Sequence, residues 1–367
     1  MKIVRNLSFS IAVLLTISCV LPAQEIQSPK NLRETVDAGV RFLLQKGQAE
    51  NGAFSDSLGL GPTGLALTAL VRSGRSPEDP AVAKGYAYLL ESIQPDGGIY
   101  TTGSFYRNYE TSTSILALTA ANRDGKYNGV INRAKAFLKQ IQWDETEGID
   151  PSDPNYGGAG YGSQKRPDLS NTSFFLDALK SAGVKEDDPA MRKALVFVSR
   201  CQNLETQYNT TPFATANPDG GFYYTPAAGG ESKAGETPEG GLRSYANMTY
   251  AGLKSMLYAG VDRNDPRVKA AVEWIRKHYD LETNPGLGGQ GVYYYYHVFA
   301  KALDALGEDT FTDAEGKEHD WRKELAAELA KRQEPDGSWV NPVTRWYEGD
   351  PNLVTAYALL ALSYCEK

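Results

Sequence analysis

Residue types that can bind a charged or elongated ligand recur in short clusters along the chain. Each cluster combines an arginine with an aromatic residue, an asparagine or a carboxylate within a few positions. Arginine offers a fork of donors to a carboxylate or phosphate, and tyrosine rings pack against sugars or isoprenoid chains. We therefore expect a small-molecule, lipid or glycan ligand to bind at Arg107, Tyr109, Glu110, Arg166, Asp168, Arg243, Tyr245, Asn247, Arg345, Trp346 and Tyr347.

A simpler interpretation of the same clusters stays open. Arg107 and Glu110 lie three positions apart, as do Arg345 and Glu348, and this spacing suits local ion pairs on a helix. In that case the neighbouring Ser, Thr and Asn residues only cap helices.

The candidate proton carriers are His297 and Tyr294. Tyr293 to Tyr296 form a run of four tyrosines that leads into His297. Imidazole and phenol groups both move protons in active sites, although a lone histidine at a helix start is often structural. We expect no metal and no cofactor, because the three histidines form no ligand cluster with the cysteines. The acidic stretch 143–155 lacks the spacing of a calcium loop and suits a solvated loop.

The segments that carry these clusters alternate between two helical patterns. Amphipathic stretches, three of which begin with Asp-Pro at Asp79, Asp188 and Asp265, alternate with stretches rich in Ala, Leu, Ser and Thr. The second kind lies at 61–74, 114–121, 173–183, 250–260, 297–307 and 355–364. Six such pairs cannot bury their apolar faces separately, so they must share a core as stacked repeats.

A short motif recurs where the first helix of a pair ends. Gln48, Gln94 and Gln333 are each followed four positions later by glycine and then by an aromatic residue, as in QEPDGSW at 333–339. We expect the glutamine amide to bond the unpaired carbonyls at the end of its own helix, and the glycine to form a turn. This motif therefore predicts a structural fastening and not a catalytic site.

The motif resembles the QW-type repeat of squalene–hopene cyclases, oxidosqualene cyclases and protein prenyltransferase β-subunits, and the likeness covers essentially residues 24–367. The resemblance implies an all-α fold, an α/α toroid in which six helix pairs form an inner and an outer ring. The acidic DxDD motif of the cyclases is absent, since Asp187 and Asp188 precede a helix. Neither Cys201 nor Cys365 follows an aspartate as the zinc ligand of the prenyltransferases does. The resemblance thus implies the architecture without the standard chemistry.

Four long insertions are expected on one rim of such a ring, because they all connect a first helix to a second helix. They span 143–170, 202–247, 280–293 and 340–353. Insertions on one face of a repeat array usually mark its binding face. We therefore expect the arginine and tyrosine clusters to meet at a single opening.

The N-terminal residues 1–23 have the pattern of a secretory signal peptide, with Lys2 and Arg5 before an apolar run. Lipid attachment at Cys19 is the alternative way to process this segment. The apolar run is too short to span a membrane, so no transmembrane helix is expected after cleavage. We expect an exported monomer in the periplasm or cell envelope, or a secreted one.

Three functions stay open at this stage, and binding of nucleic acid is not among them, because the net charge is −7. The first is a terpenoid-cyclase-like toroid that binds or processes an anionic or isoprenoid ligand in an aromatic cavity. The second is a polysaccharide lyase acting on acidic glycans. The third is a non-enzymatic scaffold of the envelope.

Overall fold

The computed structural model describes residues 31–162 and 166–366, which form thirteen α-helices and one short β-hairpin. The predicted signal peptide and Cys19 lie outside the described residues. An outer layer contains α1 (Leu32–Phe42), α3 (Pro80–Glu91), α5 (Asn128–Gln140), α7 (Pro189–Arg200), α10 (Pro266–Lys277) and α12 (Trp321–Arg332). An inner layer contains α2 (Gly61–Arg72), α4 (Arg107–Ala121), α6 (Leu169–Ser181), α9 (Ala246–Tyr258), α11 (Val292–Leu306) and α13 (Pro351–Leu362). A short helix, α8 (Pro212–Ala216), and the hairpin of β1 (Phe311–Thr312) and β2 (Glu318–His319) lie in connections.

The inner helices close into a ring. Each packs against the next in the order α2, α4, α6, α9, α11 and α13, and α13 packs back against α2. The outer helices pack on the outside of this ring, and α12 also contacts α1. The prediction of an α/α toroid is therefore confirmed. Within the described residues, no helix is both long enough and apolar enough to cross a membrane.

The pattern of buried residues shows which helices form the inner layer. In α2 every residue from Gly61 to Val71 is buried, because neighbours surround this helix on all sides. In the outer helix α3 only Val82, Gly85, Tyr86 and Leu89 are buried, which is one stripe of an amphipathic helix. The difference between the two helical patterns in the sequence is thus a difference between inner and outer position.

Five of the six inner helices begin earlier than their patterns predict, and α4 and α11 do so by the most residues. Helix α4 begins at Arg107 rather than at 114, and α11 begins at Val292 rather than at 297. The tyrosine run therefore lies inside α11, where burial against neighbouring helices outweighs the modest helix propensity of tyrosine. His297 consequently lies in the second turn of its helix and not at its start.

The glutamine fastening has a different partner from the one expected. Gln48 Nε2 donates to Gly52 O at 3.0 Å and to Ala81 O at 2.9 Å, in the first turn of the next outer helix. Gln333 Nε2 donates to Thr35 O at 2.9 Å and so joins the last outer helix to the first. The expectation that each amide bonds the end of its own helix is wrong, because these amides bridge neighbouring repeats.

The structure also shows two copies of this fastening that the sequence motif missed. Gln142 Nε2 donates to Ala190 O at 3.0 Å, and Gln202 Nε2 donates to Arg267 O at 2.8 Å. Insertions separate both glutamines from their glycine, so the short motif does not match. Gln94 alone meets the expectation among these copies, since its amide bonds the carbonyl of Ser92, the C-cap of its own helix α3, together with Tyr100 O of the following loop.

A second repeated contact holds the start of the inner helices. In five pairs a threonine of the inner helix accepts a backbone N–H from the preceding turn at 3.0–3.1 Å. These threonines are Thr63, Thr111, Thr172, Thr249 and Thr355. The N-terminal ends of the inner helices are therefore fixed relative to the loops that surround the ring opening.

Candidate ligand-binding site

A cavity of about 510 Å³ lies at one end of the ring, among the first turns of the inner helices and the loops before them. All four predicted insertions contribute to its wall, through Tyr161, Tyr224, Gly291 and Trp346 respectively. The insertions therefore do gather at one rim, and they surround an open space rather than filling it.

Four aromatic rings form a closed circuit in the wall of this cavity, one each from α4, α6, α11 and α13. We call Tyr109, Phe174, Tyr294 and Tyr357 the aromatic quartet. Tyr109 meets Phe174 edge-on at 5.0 Å between ring centroids, and Phe174 stacks on Tyr294 at 6.0 Å. Tyr294 lies 5.8 Å from Tyr357, whose hydroxyl is 3.3 Å from that of Tyr109. The quartet gives the cavity a rigid apolar surface.

The mouth of the cavity is also aromatic, but it is exposed to solvent. Phe105 and Tyr347 are 65% and 59% exposed, and Tyr106 and Trp346 are more than one-third exposed. Trp346 and Tyr347 have φ values of 57° and 64°. This left-handed backbone is unfavourable for bulky residues and is often found at functional sites. It directs both rings to the opening.

Of the four arginines expected at this opening, only Arg166 and Arg345 lie near the cavity-lining Lys233. The cavity-lining side chains of the described residues do not include Arg107, Arg166, Arg243 or Arg345. Arg107 lies with its guanidinium 5.7 Å from the Tyr100 ring, outside the cavity. Arg243 is exposed, and its Nε donates to Glu236 O at 2.9 Å. Arg107 contacts a ring and Arg243 a loop carbonyl close to it, which the sequence clusters could not show.

Glu110 lines the cavity and holds its loops together. Its Oε2 accepts the Thr101 N–H at 2.8 Å, and its Oε1 accepts the Ser104 hydroxyl at 2.9 Å and the Leu60 N–H at 3.4 Å. Burial raises the pKa of this carboxyl, while the hydrogen bonds act in the opposite direction. Glu110 therefore ties two loops to α4 instead of pairing with Arg107.

Glu348 has a similar role on the opposite loop. Its Oε1 accepts the Tyr294 N–H at 2.8 Å, and its Oε2 accepts from Asn341 Nδ2 at 2.7 Å. The carboxyl thus lies at the N-terminus of α11, where a negative charge is stabilised. Burial raises its pKa to about 7. Because both oxygens already accept N–H donors, the geometry favours helix capping over proton donation and over an ion pair with Arg345.

Asp168 and Asn247 also act as structural supports. Asp168 lies behind the wall and caps α6, since its Oδ1 accepts the Asn171 N–H at 2.9 Å. Burial raises the pKa of Asp168 to about 6. Asn247 lines the cavity beside Tyr245 and donates from Nδ2 to Gly291 O at 3.0 Å, which joins α9 to the start of α11.

The two predicted proton carriers occupy different places. Tyr294 belongs to the quartet, its hydroxyl accepts from Ser170 Oγ at 3.1 Å, and burial raises its pKa well above the usual value. His297 lies behind the quartet, 5.5 Å from Tyr357 and 6.4 Å from Phe174 between ring centroids. Burial and nearby lysines lower the pKa of His297 far below its usual value. Neither group is therefore tuned to exchange protons near pH 7.

Behind the quartet, the ring axis also holds a buried charge cluster. Lys254 Nζ lies 2.6 Å from Asp177 Oδ1, and Lys301 pairs with the other carboxylate oxygen. Burial lowers the pKa of Lys254 to about 8. Although burial alone would raise it, the pKa of Asp177 is lowered by these two ammonium groups. The cluster joins α6, α9 and α11, and the sequence analysis did not identify it.

Lys233 is the cavity-lining residue of most interest that sequence reasoning missed. It lies in the second insertion, outside any helix, so no periodic pattern marked it. Phe174 and Tyr357 were missed for another reason, since both look like ordinary core residues of apolar helices. Cys201 and Cys365 are free and buried, as expected for small hydrophobic residues. The described residues contain no group of three or more metal-ligating side chains.

Comparison with known proteins identifies the family. Residues 35–225, more than half of the chain, match the squalene-hopene cyclase C-terminal domain. The chain therefore belongs to the squalene-hopene cyclase C-terminal domain family. No curated protein matches the chain significantly.

Solved structures with the same architecture carry out several kinds of chemistry. One is the type II terpene cyclase MstE from Scytonema in complex with geranylgeranyl dihydroxybenzoate, which is 13% identical to this chain with a TM-score of 0.55. The match covers 91% of this chain and 97% of the cyclase chain. A family 76 glycoside hydrolase from a bovine Bacteroides thetaiotaomicron strain is 12% identical with a TM-score of 0.57, and the match covers 92% of this chain and 78% of the hydrolase chain. A polysaccharide lyase is 11% identical with a TM-score of 0.52, and the match covers 91% of this chain and 96% of the lyase chain. At these identities the likeness establishes the fold alone.

Proposed function

We propose that this protein binds an elongated, largely apolar ligand of the isoprenoid class in the cavity at the ring opening. The observation that carries the proposal is the aromatic quartet, a continuous apolar wall in a cavity of about 510 Å³. This volume falls within the usual range of about 300–1,000 Å³ for small-molecule sites. The isoprenoid chain of the ligand bound to MstE supports the ligand class by analogy.

The site supports binding more directly than it supports catalysis. The sequence lacks the DxDD acid motif, and Glu110 and Glu348 are engaged with N–H donors of the cavity wall. A lyase acting on acidic glycans also needs a group that moves a proton, and neither Tyr294 nor His297 is tuned to do so near pH 7. A cavity plugged by 202–247 would favour the scaffold alternative, but residues of this insertion line an open space.

The test is a titration with farnesol, a short isoprenoid alcohol, followed by tyrosine and tryptophan fluorescence. We expect a saturable change in the wild type. Ser170→Trp places a bulky ring in the cavity beside Tyr294 and should weaken farnesol binding at least about tenfold. Ser181→Trp makes the same change at the exposed end of the same helix and should bind farnesol as the wild type does.

Two outcomes would count against the proposal. One is a flat fluorescence trace with farnesol and with longer polyprenols, provided that thermal melting shows folded protein. The other is equal weakening of binding by the two tryptophan variants. If acidic glycans instead yield products that absorb in the near ultraviolet, the lyase alternative replaces the isoprenoid proposal.

We further propose that the protein is exported to the periplasm or cell envelope or is secreted, on the basis of residues 1–23. Mass spectrometry of the mature protein tests this, since cleavage after Ala23 and lipidation at Cys19 give different N-termini. Recovery of the uncleaved chain from the cytoplasm would contradict export.

A further inference from the structure

One side of the cavity mouth carries a group of cations with few counter-charges. Lys233 lines the cavity, and its Nζ lies 4.4 Å from the centroid of the Tyr224 ring. Lys233 forms an ion pair with Glu231, but Arg166 pairs with the same carboxylate. One carboxylate thus serves two cations.

Arg345 adds a third positive charge on this side. Its guanidinium lies 4.2 Å from the Trp346 ring and donates to the neutral amide of Gln290. The pKa of Lys233 is lowered by burial and then by the charges of Arg166 and Arg345, while the charge of Asp168 acts in the opposite direction. Asp168 is the other nearby carboxyl, and Asn171 donates to both of its oxygens.

We propose that Lys233, with Arg166 and Arg345 behind it, binds the carboxylate or phosphate head group of an amphiphilic ligand whose chain lies against the aromatic quartet. This inference rests on the proposed function and assigns one end of the ligand to one side of the mouth. Tyr224 and Trp346, whose rings contact Lys233 and Arg345 respectively, also line the cavity. An anionic head group is stabilised there because it pairs with charge that the protein leaves unbalanced.

Three other carboxyl groups line the cavity, those of Asp56, Glu110 and Glu348, and none of them is among the main charges that act on Lys233. Glu110 is held by loop N–H and hydroxyl donors, and Glu348 by the first turn of α11. The negative charge of Glu110 and that of Glu348 are therefore each balanced by these local donors. A ligand whose head group binds at Lys233 therefore extends its apolar chain toward the quartet.

The experiment compares farnesol, farnesoic acid and farnesyl phosphate at neutral pH and low salt. These ligands share one chain and differ in the head group. We expect the wild type to bind at least one of the two anions about tenfold or more tightly than the alcohol, and to lose this preference as salt is raised. The stronger of the two anions identifies the head-group chemistry.

Lys233→Met keeps the aliphatic stem and removes the charge, so the ratio of anion to alcohol affinity should fall to near one. Lys233→Arg should keep the preference. Lys269→Met, a change on the exposed face of α10, is the matched control and should keep it too.

The outcomes separate the inference from the proposed function. Equal binding of all three ligands by the wild type, or an unchanged ratio in Lys233→Met, would overturn the head-group site and leave the apolar cavity standing. Failure of all three ligands to bind would overturn the proposed function and this inference with it.

Discussion

The buried cluster of Asp177, Lys254 and Lys301 allows a quantitative test of how the inner ring is held together. The side chains of Lys254 and Lys301 are 1% and 5% exposed, and that of Asp177 is 3% exposed. Asp177→Asn leaves two buried ammonium groups without a counter-charge. Removing one partner of a buried ion pair typically costs about 3–5 kcal/mol. We expect a loss of that size in the free energy of unfolding.

Urea unfolding at neutral pH, followed by circular dichroism, measures this loss. Asp309→Asn is the control, because it removes an ion pair with Arg322 in which the aspartate is 96% exposed. Exposed pairs contribute about 0–1 kcal/mol, so the control should unfold nearly as the wild type does. Adding Lys301→Met to Asp177→Asn removes one unpaired charge and should recover part of the loss.

The reasoning is refuted if Asp177→Asn costs less than about 1 kcal/mol, or no more than Asp309→Asn. The same conclusion follows if the Lys301→Met change adds a further loss. Either result would mean that the charges at the ring axis are solvated or neutral, and not a compensated buried cluster.

Two further predictions concern the loops and the closure of the ring. Burial raises the pKa of Glu348 to about 7, compared with about 4.3 for a glutamate in an unfolded chain. The stability that this carboxyl contributes is therefore complete below about pH 4 and is lost as pH rises through about 7. Urea melts should therefore show the wild type losing up to about 4 kcal/mol relative to Glu348→Gln over this range, whereas a pH-independent difference would contradict the buried carboxyl. Gln333→Ala should speed hydrogen exchange in α1, because Gln333 fastens Thr35 across the ring closure. Gln94→Ala, which breaks only bonds to the end of its own helix and the following loop, should leave α1 unchanged, and equal effects would be inconsistent with the bridging role.

Features that repeat along the chain could be predicted from the sequence. Helical periodicity and the Gln, Gly and aromatic spacing indicated six pairs and the toroid, because each repeat solves the same packing problem. The partner of the amide could not be inferred, since Thr35 and Gln333 lie at opposite ends of the chain. The positions of the insertions did indicate the rim where the cavity lies.

The side chains of the site were harder to predict, because their directions depend on contacts between distant loops. Glu348 looked like a partner of Arg345, yet its carboxylate reaches the N-terminus of α11. The left-handed backbone of Trp346 and Tyr347 has no sequence signal of the kind that glycine supplies. Lys233 acquires its significance from Arg166 and Arg345, which only the folded loops bring close to it.

The central claim is that the ring opening contains an apolar aromatic site. A crystal structure of the protein soaked with farnesol tests it most directly. We expect continuous ligand density in contact with Tyr109, Phe174, Tyr294 and Tyr357, with the hydroxyl end toward Lys233. Density elsewhere on the molecule, or a cavity that holds only ordered water at saturating farnesol, would contradict the account.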